Sequence, residues 1–201
     1  MYAQVIAATL RILGFRAGPQ DFPYDPRLTL PLILVAGGAN AALFGQVLPL
    51  ATALLMAAAM VGGTALVTRS VLRARAVPER FNQTFNALLA TAAALTLVML
   101  PLFAQVAPIL RQVAQNPELL EQDSGVRLPQ GLAFLMNLIN FWNFAVTAFV
   151  FRHAANVQLW LGVIIALILA FVVLFCVIFA GLFAGMLFGT GGSPTPPAVL
   201  G

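Results

Sequence analysis

Hydrophobic and polar positions along this chain are segregated into blocks. Between Arg27 and Arg69 lie 41 consecutive uncharged residues, too many for one straight bilayer crossing of about 20 residues and close to the need of two. A hairpin resolves this, with its turn at Gln46–Pro49, where a polar amide and a proline interrupt the run. The pattern therefore predicts a first span over about 29–46 and a second over about 49–68. After the polar stretch Arg69–Arg80, thirty further uncharged residues precede Arg111 and predict a third span over about 85–106. Pro101 and Pro108 near its far end predict a kink or helix exit there. Arg111–Gln130 is polar and reads as a loop with one short interfacial helix. A fourth span is expected over about 131–151, ending at Arg152-His153, and a fifth from about 158 to 188, long enough that it must tilt or project. The Gly/Pro-rich tail after Gly189 cannot sustain a helix and reads as disordered.

The expected fold is thus an all-α polytopic transmembrane bundle of five spans. It divides into a cytoplasmic N-terminal segment (1–27), a five-span domain (28–189) and a tail (190–201). Within the N-terminal segment, Tyr2, Ile6, Leu10 and Leu13 share one helical face, which predicts a helix lying on the membrane surface. Met1–Leu10 has no basic residue ahead of it, so it does not read as a signal peptide.

Composition agrees with the spans: 61% of the 201 residues are hydrophobic and 8% charged, against about a quarter charged in soluble proteins. The net charge of +4 would invite a nucleic-acid reading in a soluble domain, but here the cations sit at the ends of apolar runs and read as topology signals and lipid-headgroup contacts. Eight of the ten arginines fall on the side of the N-terminus, and two, Arg111 and Arg127, on the other. The positive-inside rule then predicts a cytoplasmic N-terminus and an external C-terminus. Basic residues that are all arginine, with abundant Ala, Leu, Gly and Pro, are consistent with a high-GC bacterial gene, hence a bacterial inner membrane.

No Asp, Glu, Lys or Arg falls inside the expected spans, which disfavours proton relays and ion-coupled transport. Neither a nucleophile elbow nor a phosphate-cradling glycine loop is present, and a single His and a single Cys, Cys176, offer no ligand spacing. Glu118, Glu121 and Asp123 cluster in a polar loop and read as solvated. The sequence therefore predicts no catalytic, cofactor or metal site, and a non-enzymatic protein.

The polar groups that do enter the membrane are amides. Asn137, Asn140 and Asn143 recur every three residues on the fourth span and, with Thr147, occupy one face. That face is either an interhelical hydrogen-bonding surface, or the wall of a polar cavity or a docking face for another helix. Asn82 and Asn86 form a shorter pair at the start of span three. Gly181, Gly185 and Gly189 make a small-residue stripe on span five, suited to packing within the bundle or to homo-oligomerisation. Arg69, Arg73, Arg75 and Arg80 are the candidate lipid-headgroup residues, at about 1 kcal/mol each, with an acidic partner as the alternative. Trp160 is placed as an interfacial anchor.

Three segments carry a family resemblance. They are Arg11-Ile12-Leu13 leading into Gly18-Pro19-Gln20-Asp21-Phe22-Pro23-Tyr24-Asp25-Pro26, then Arg80-Phe81-Asn82-Gln83-Thr84-Phe85-Asn86-Ala87-Leu88, and Trp142 with Arg152-His153-Ala154. With five spans in about 200 residues, the chain resembles the uncharacterised bacterial relatives of the Yip family of Ypt/Rab-interacting membrane proteins. The resemblance implies an interaction or membrane-organising component whose partners are lipids, another protein or a second copy, and no nucleic acid. The alternatives are an accessory subunit of a larger membrane complex and a passive channel for a neutral solute.

Overall fold

A computed structural model of the chain describes residues 2–116 and 129–188. These form six helices: α1 (Tyr2–Leu13), α2 (Thr29–Phe44), α3 (Leu50–Ala74), α4 (Phe81–Gln115), α5 (Gln130–Ala154) and α6 (Leu159–Phe188). Five stretches are long and apolar enough to cross a membrane: α2 together with the short helical turn that leads into it (Pro26–Phe44), and α3 to α6. The expected hairpin turn is present, since α2 ends at Phe44 and α3 begins at Leu50, directly after Pro49.

Two expectations are corrected at helix ends. The polar stretch after Arg69 is not all loop, because α3 continues to Ala74 and carries Arg69 and Arg73 on its last turns. Nor does the chain leave the helix near its two prolines: α4 runs through Pro101 and Pro108 to Gln115, about 52 Å at 1.5 Å per residue. Each proline removes one backbone N–H from the ladder, and membrane helices tolerate this where neighbouring polar groups supply replacement bonds. The carbonyls that lose a partner are Leu97 O and Ala104 O, four residues before each proline, while Gln46 Nε2 donates to the nearby Leu100 O (3.3 Å) and ties the α2–α3 turn to this stretch of α4. The expected helix within the 111–130 loop and the tail fall largely or wholly outside the described residues.

The five long helices close into a ring in the order α2, α3, α6, α5, α4 and back to α2, with a lesser α3–α4 contact across it. Helix starts and ends alternate, so one end of the ring collects the chain's Arg-rich connections. At this basic end Leu32, Val67, Leu88, Val146 and Leu169, one from each ring helix, belong to one buried core. The N-terminal segment extends that core: Val5, Ala8 and Ile12 of α1, then Phe22 and Leu28, are buried in it. The face predicted from Tyr2, Ile6 and Leu10 is exposed, and α1 instead packs on the bundle through Val5, Ala8, Thr9 and Ile12. α1 thus has two apolar faces, one against protein and one facing out, with Gln4 and Arg11 on the remaining side.

Three basic-end helices, α1, α3 and α5, are followed by a residue in the left-handed region: Phe15 (φ 57°), Ala76 (φ 57°) and Asn156 (φ 49°). In each case the next amide reaches back five residues: Arg16 N to Arg11 O, Val77 N to Leu72 O and Val157 N to Arg152 O, at 2.8 to 3.0 Å. This chain reversal normally uses glycine. Phe15 tolerates it because its ring is held edge-on between Trp142 and Phe149, with centroids 5.3 and 5.2 Å away.

Candidate functional site

Inside the ring, beyond the buried core, packing loosens along α5, whereas Ala53 and Ala57 of α3, Met99 of α4 and Ala184 of α6 stay buried. Two adjoining cavities of about 260 and 250 Å³ lie there, and Met60, Ala92, Asn140 and Asn143 line both. Their walls take residues from all five ring helices, with Asn40, Thr64, Thr96 and Thr147 as further polar groups. Asn40 Nδ2 and Thr64 Oγ1 are spent locally, donating to Ala36 O (2.8 Å) and Met60 O (2.9 Å) one turn back.

The α5 amides are not spent. Among the described residues, the side-chain hydrogen bonds of α5 are those of Trp142 Nε1, donating to Leu13 O (3.1 Å), and His153 Nδ1, paired with Phe149 O (2.9 Å). Asn143 and the exposed Asn140 line the cavities instead, while Asn137, also exposed, lines neither and sits one turn further along. Between Leu132 and Val146 no α5 residue is buried, so this half of the helix stands open. Lining groups of this kind can donate and accept hydrogen bonds but hold no charge, so the site suits a neutral polar group on an apolar body.

The second amide pair is used internally. Asn82 Nδ2 donates to Thr29 Oγ1 (2.8 Å), and Asn86 Nδ2 donates to Asn82 Oδ1 (3.2 Å). This relay ties the start of α2 to the start of α4. Asn86 is fully buried and its Oδ1 lacks a partner among the described residues, a cost of about 1–3 kcal/mol. Gln83 Nε2, donating to Phe22 O (2.9 Å), fastens the N-terminal segment to the same turn.

The glycine stripe lies against its own chain: Gly181 and Gly185 line a groove of about 470 Å³ shared with Pro49, Thr52 and Met56 of α3. Gly189 lies outside the described residues. The closest approach is elsewhere and carries no spacing signal: a Cβ on Gly162 would fall 2.5 Å from Ala148 O, so α6 begins pressed onto the α5 backbone.

Of the four headgroup arginines, two touch protein. Arg80 Nη1 donates to Ala154 O (3.1 Å) and His153 O (3.4 Å), and Arg75 Nε approaches Ala155 O (3.5 Å), so both cover the C-terminal carbonyls of α5. Arg69 and Arg73 are exposed beside Pro78 and Phe81. At the opposite end Arg111 Nε donates to Gln46 O (2.7 Å), holding the α2–α3 turn to α4. Trp160 is exposed and donates to Gln158 Oε1 (2.6 Å) at the start of α6. Arg127 and the acids Glu118, Glu121 and Asp123 lie outside the described residues. The described residues hold no group of three or more His, Cys, Asp or Glu able to bind a metal ion.

Sequence reasoning missed the docking of the N-terminal segment, whose only signal was two isolated apolar residues, Phe22 and Leu28, among turn-forming prolines. No protein family, curated protein or solved structure matches the chain.

Proposed function

We propose that this protein is a non-enzymatic, multi-pass component of a bacterial inner membrane, of Yip-like type, that works by holding a partner's transmembrane helix against the α5 amide strip. The observation that carries the reading is the open half of α5: Asn137, Asn140 and Asn143 make no hydrogen bond within the described residues, and two cavities lie along the strip. An amide facing hydrocarbon without a partner is costly, and an interhelical bond recovers about 0.6–2 kcal/mol. A helix bearing a hydroxyl or amide fits both the strip and the exposed apolar residues Phe134, Leu135, Leu138 and Phe141 that flank it. The arginine distribution supports a cytoplasmic basic end, which places the open end toward the exterior. The Yip-like part of the reading rests on five apolar helices following a short N-terminal segment.

A passive path for a neutral solute is the weaker reading, because it would have to pass the five-helix core at the basic end. The test is extraction from native membranes under mild detergent, with mass spectrometry of wild type and Asn140→Leu. A stoichiometric polypeptide, foreign or a second copy, that the substitution removes is the expected result. Purification of a bare monomer, with liposomes that pass neutral solutes in an Asn140-dependent manner, would replace the proposal with the channel reading.

A further inference from the structure

A further cavity, independent of the α5 strip, opens at the basic end between the start of α4, the end of α5 with the turn that follows it, and Pro19 and Gln20 of the N-terminal segment. It measures about 500 Å³ and is lined by Arg80, Arg152 and His153, with Gln83, Thr84 and Asn156 as further polar walls. Neither Asp nor Glu lines it. Arg152 and His153 end α5, whereas Arg80 sits 72 positions earlier in the chain, so the three are gathered by the fold.

The donors are only partly occupied. Arg80 spends Nη1 on the carbonyls of His153 and Ala154, which fixes the guanidinium at the rim and leaves its other nitrogens. His153 Nδ1 is held by Phe149 O at 2.9 Å, leaving Nε2 as the free ring nitrogen. Arg152 is exposed. Thr84 Oγ1 donates to Arg80 O (2.8 Å), so that hydroxyl oxygen keeps its acceptor lone pairs while its proton is used. The α4 N-terminus at the same rim has no side-chain cap, which adds the positive end of a 35-residue helix. Two planar guanidiniums lining a polar hollow with no carboxylate among its lining residues match a tetrahedral oxyanion, which arginine binds through two parallel hydrogen bonds.

We propose that this cavity binds a phosphate group. Its position at the ends of spanning helices, level with the exposed Trp160, makes the headgroup of an anionic phospholipid one source, and a soluble phosphate or phosphate ester the other. It differs from a general attraction of the arginines to an anionic surface, because it requires Arg152 and leaves Arg73, in a separate small hollow, dispensable.

The test uses the full chain in mild detergent. Native mass spectrometry reads retention of phosphatidylglycerol or phosphatidylcholine by wild type, Arg152→Gln, Arg152→Lys and Arg73→Gln. Melting temperature is read with millimolar inorganic phosphate against chloride at equal ionic strength. Wild type should retain phosphatidylglycerol over phosphatidylcholine, Arg152→Gln should reduce retention about five- to tenfold, Arg152→Lys less, and Arg73→Gln hardly at all. A phosphate-induced rise in melting temperature that Arg152→Gln abolishes identifies a soluble phosphate as sufficient, and its absence alongside lipid retention identifies the headgroup. Equal loss in Arg152→Gln and Arg73→Gln, or neither lipid retention nor a phosphate response in wild type, overturns the proposal.

Discussion

The two ends of the helix ring are built differently. At the basic end, side chains from all five ring helices and from the N-terminal segment meet in one core, and Phe22, Leu28 and Phe151 are among its most deeply buried members. Polar groups there are tied down: Asn82 to Thr29, Gln83 to Phe22 O, and Arg80 to the end of α5. At the other end, α5 from 133 to 145 has no buried residue, and amides line open space. The contrast teaches that the bundle is sealed at its basic end, while in the other half it is α5 that lacks buried residues between 133 and 145, and α2, α3, α4 and α6 keep buried positions such as Ala41, Ala53, Met99 and Ala184. A protein that needed a continuous path would not concentrate its best packing across one mouth of it.

The comparison can be broken most directly by truncating matched aromatics. Phe151→Ala, at a fully buried site, should cost about 3–5 kcal/mol in reversible unfolding from detergent, whereas Phe141→Ala on the open half should stay within about 0.5 kcal/mol. Similar losses at both sites would show that the open half is packed after all.

Adding a methyl group gives the next largest contrast. Gly162→Ala places a Cβ 2.5 Å from Ala148 O and forces α5 and α6 apart, at about 1–3 kcal/mol. Gly62→Ala meets nothing within 4 Å and should stabilise α3 by about 0.5–1 kcal/mol. Melting temperatures of the two variants should therefore move in opposite directions, and a shared sign would contradict the α5–α6 contact.

Smaller effects separate the two amide sets. Asn82→Ala removes both bonds of the relay and should lower stability by about 1–2 kcal/mol. Asn140→Leu should leave the isolated chain as stable as wild type or slightly more so, because it deletes an amide that bonds to nothing within the described residues. A loss at Asn140 as large as that at Asn82 would mean the cavity amide is structural. The smallest change is Ala76→Gly, expected to raise stability by less than about 1 kcal/mol by relieving a left-handed alanine after α3.

Charge spacing alone located the helices because the bilayer sets their length: uncharged tracts of twenty or more residues must cross, and the turn at Gln46–Pro49 was marked by its own residues. The ends were less legible. Arg69 and Arg73 interrupt hydropathy without interrupting the helix, and Pro101 and Pro108 look like terminators although α4 runs through both, each costing it one ladder hydrogen bond. Of the polar candidates, periodicity groups Asn137, Asn140 and Asn143 on one side of a helix; Asn140 and Asn143 line the cavities and Asn137 does not, and the same spacing is compatible with a bonded interface and with a cavity wall. The pairing of Arg80 with Arg152 and His153 had no sequence signal, since it joins helix ends far apart in the chain.

What the sequence determined by itself is the set of five apolar helices, the clustering of cations at one end and the absence of any charge from the middle of the spans, because hydrocarbon penalises charge and unpaired backbone wherever they occur. Only the tertiary structure decided which faces meet: that the ring closes as α2, α3, α6, α5, α4, that Phe22 and Leu28 seal it, and that Asn86 is consumed while Asn140 is left open. In lipid most of every helix surface is apolar, so hydrophobicity alone cannot choose neighbours. Close steric fit, as at Gly162, and a few hydrogen bonds make that choice.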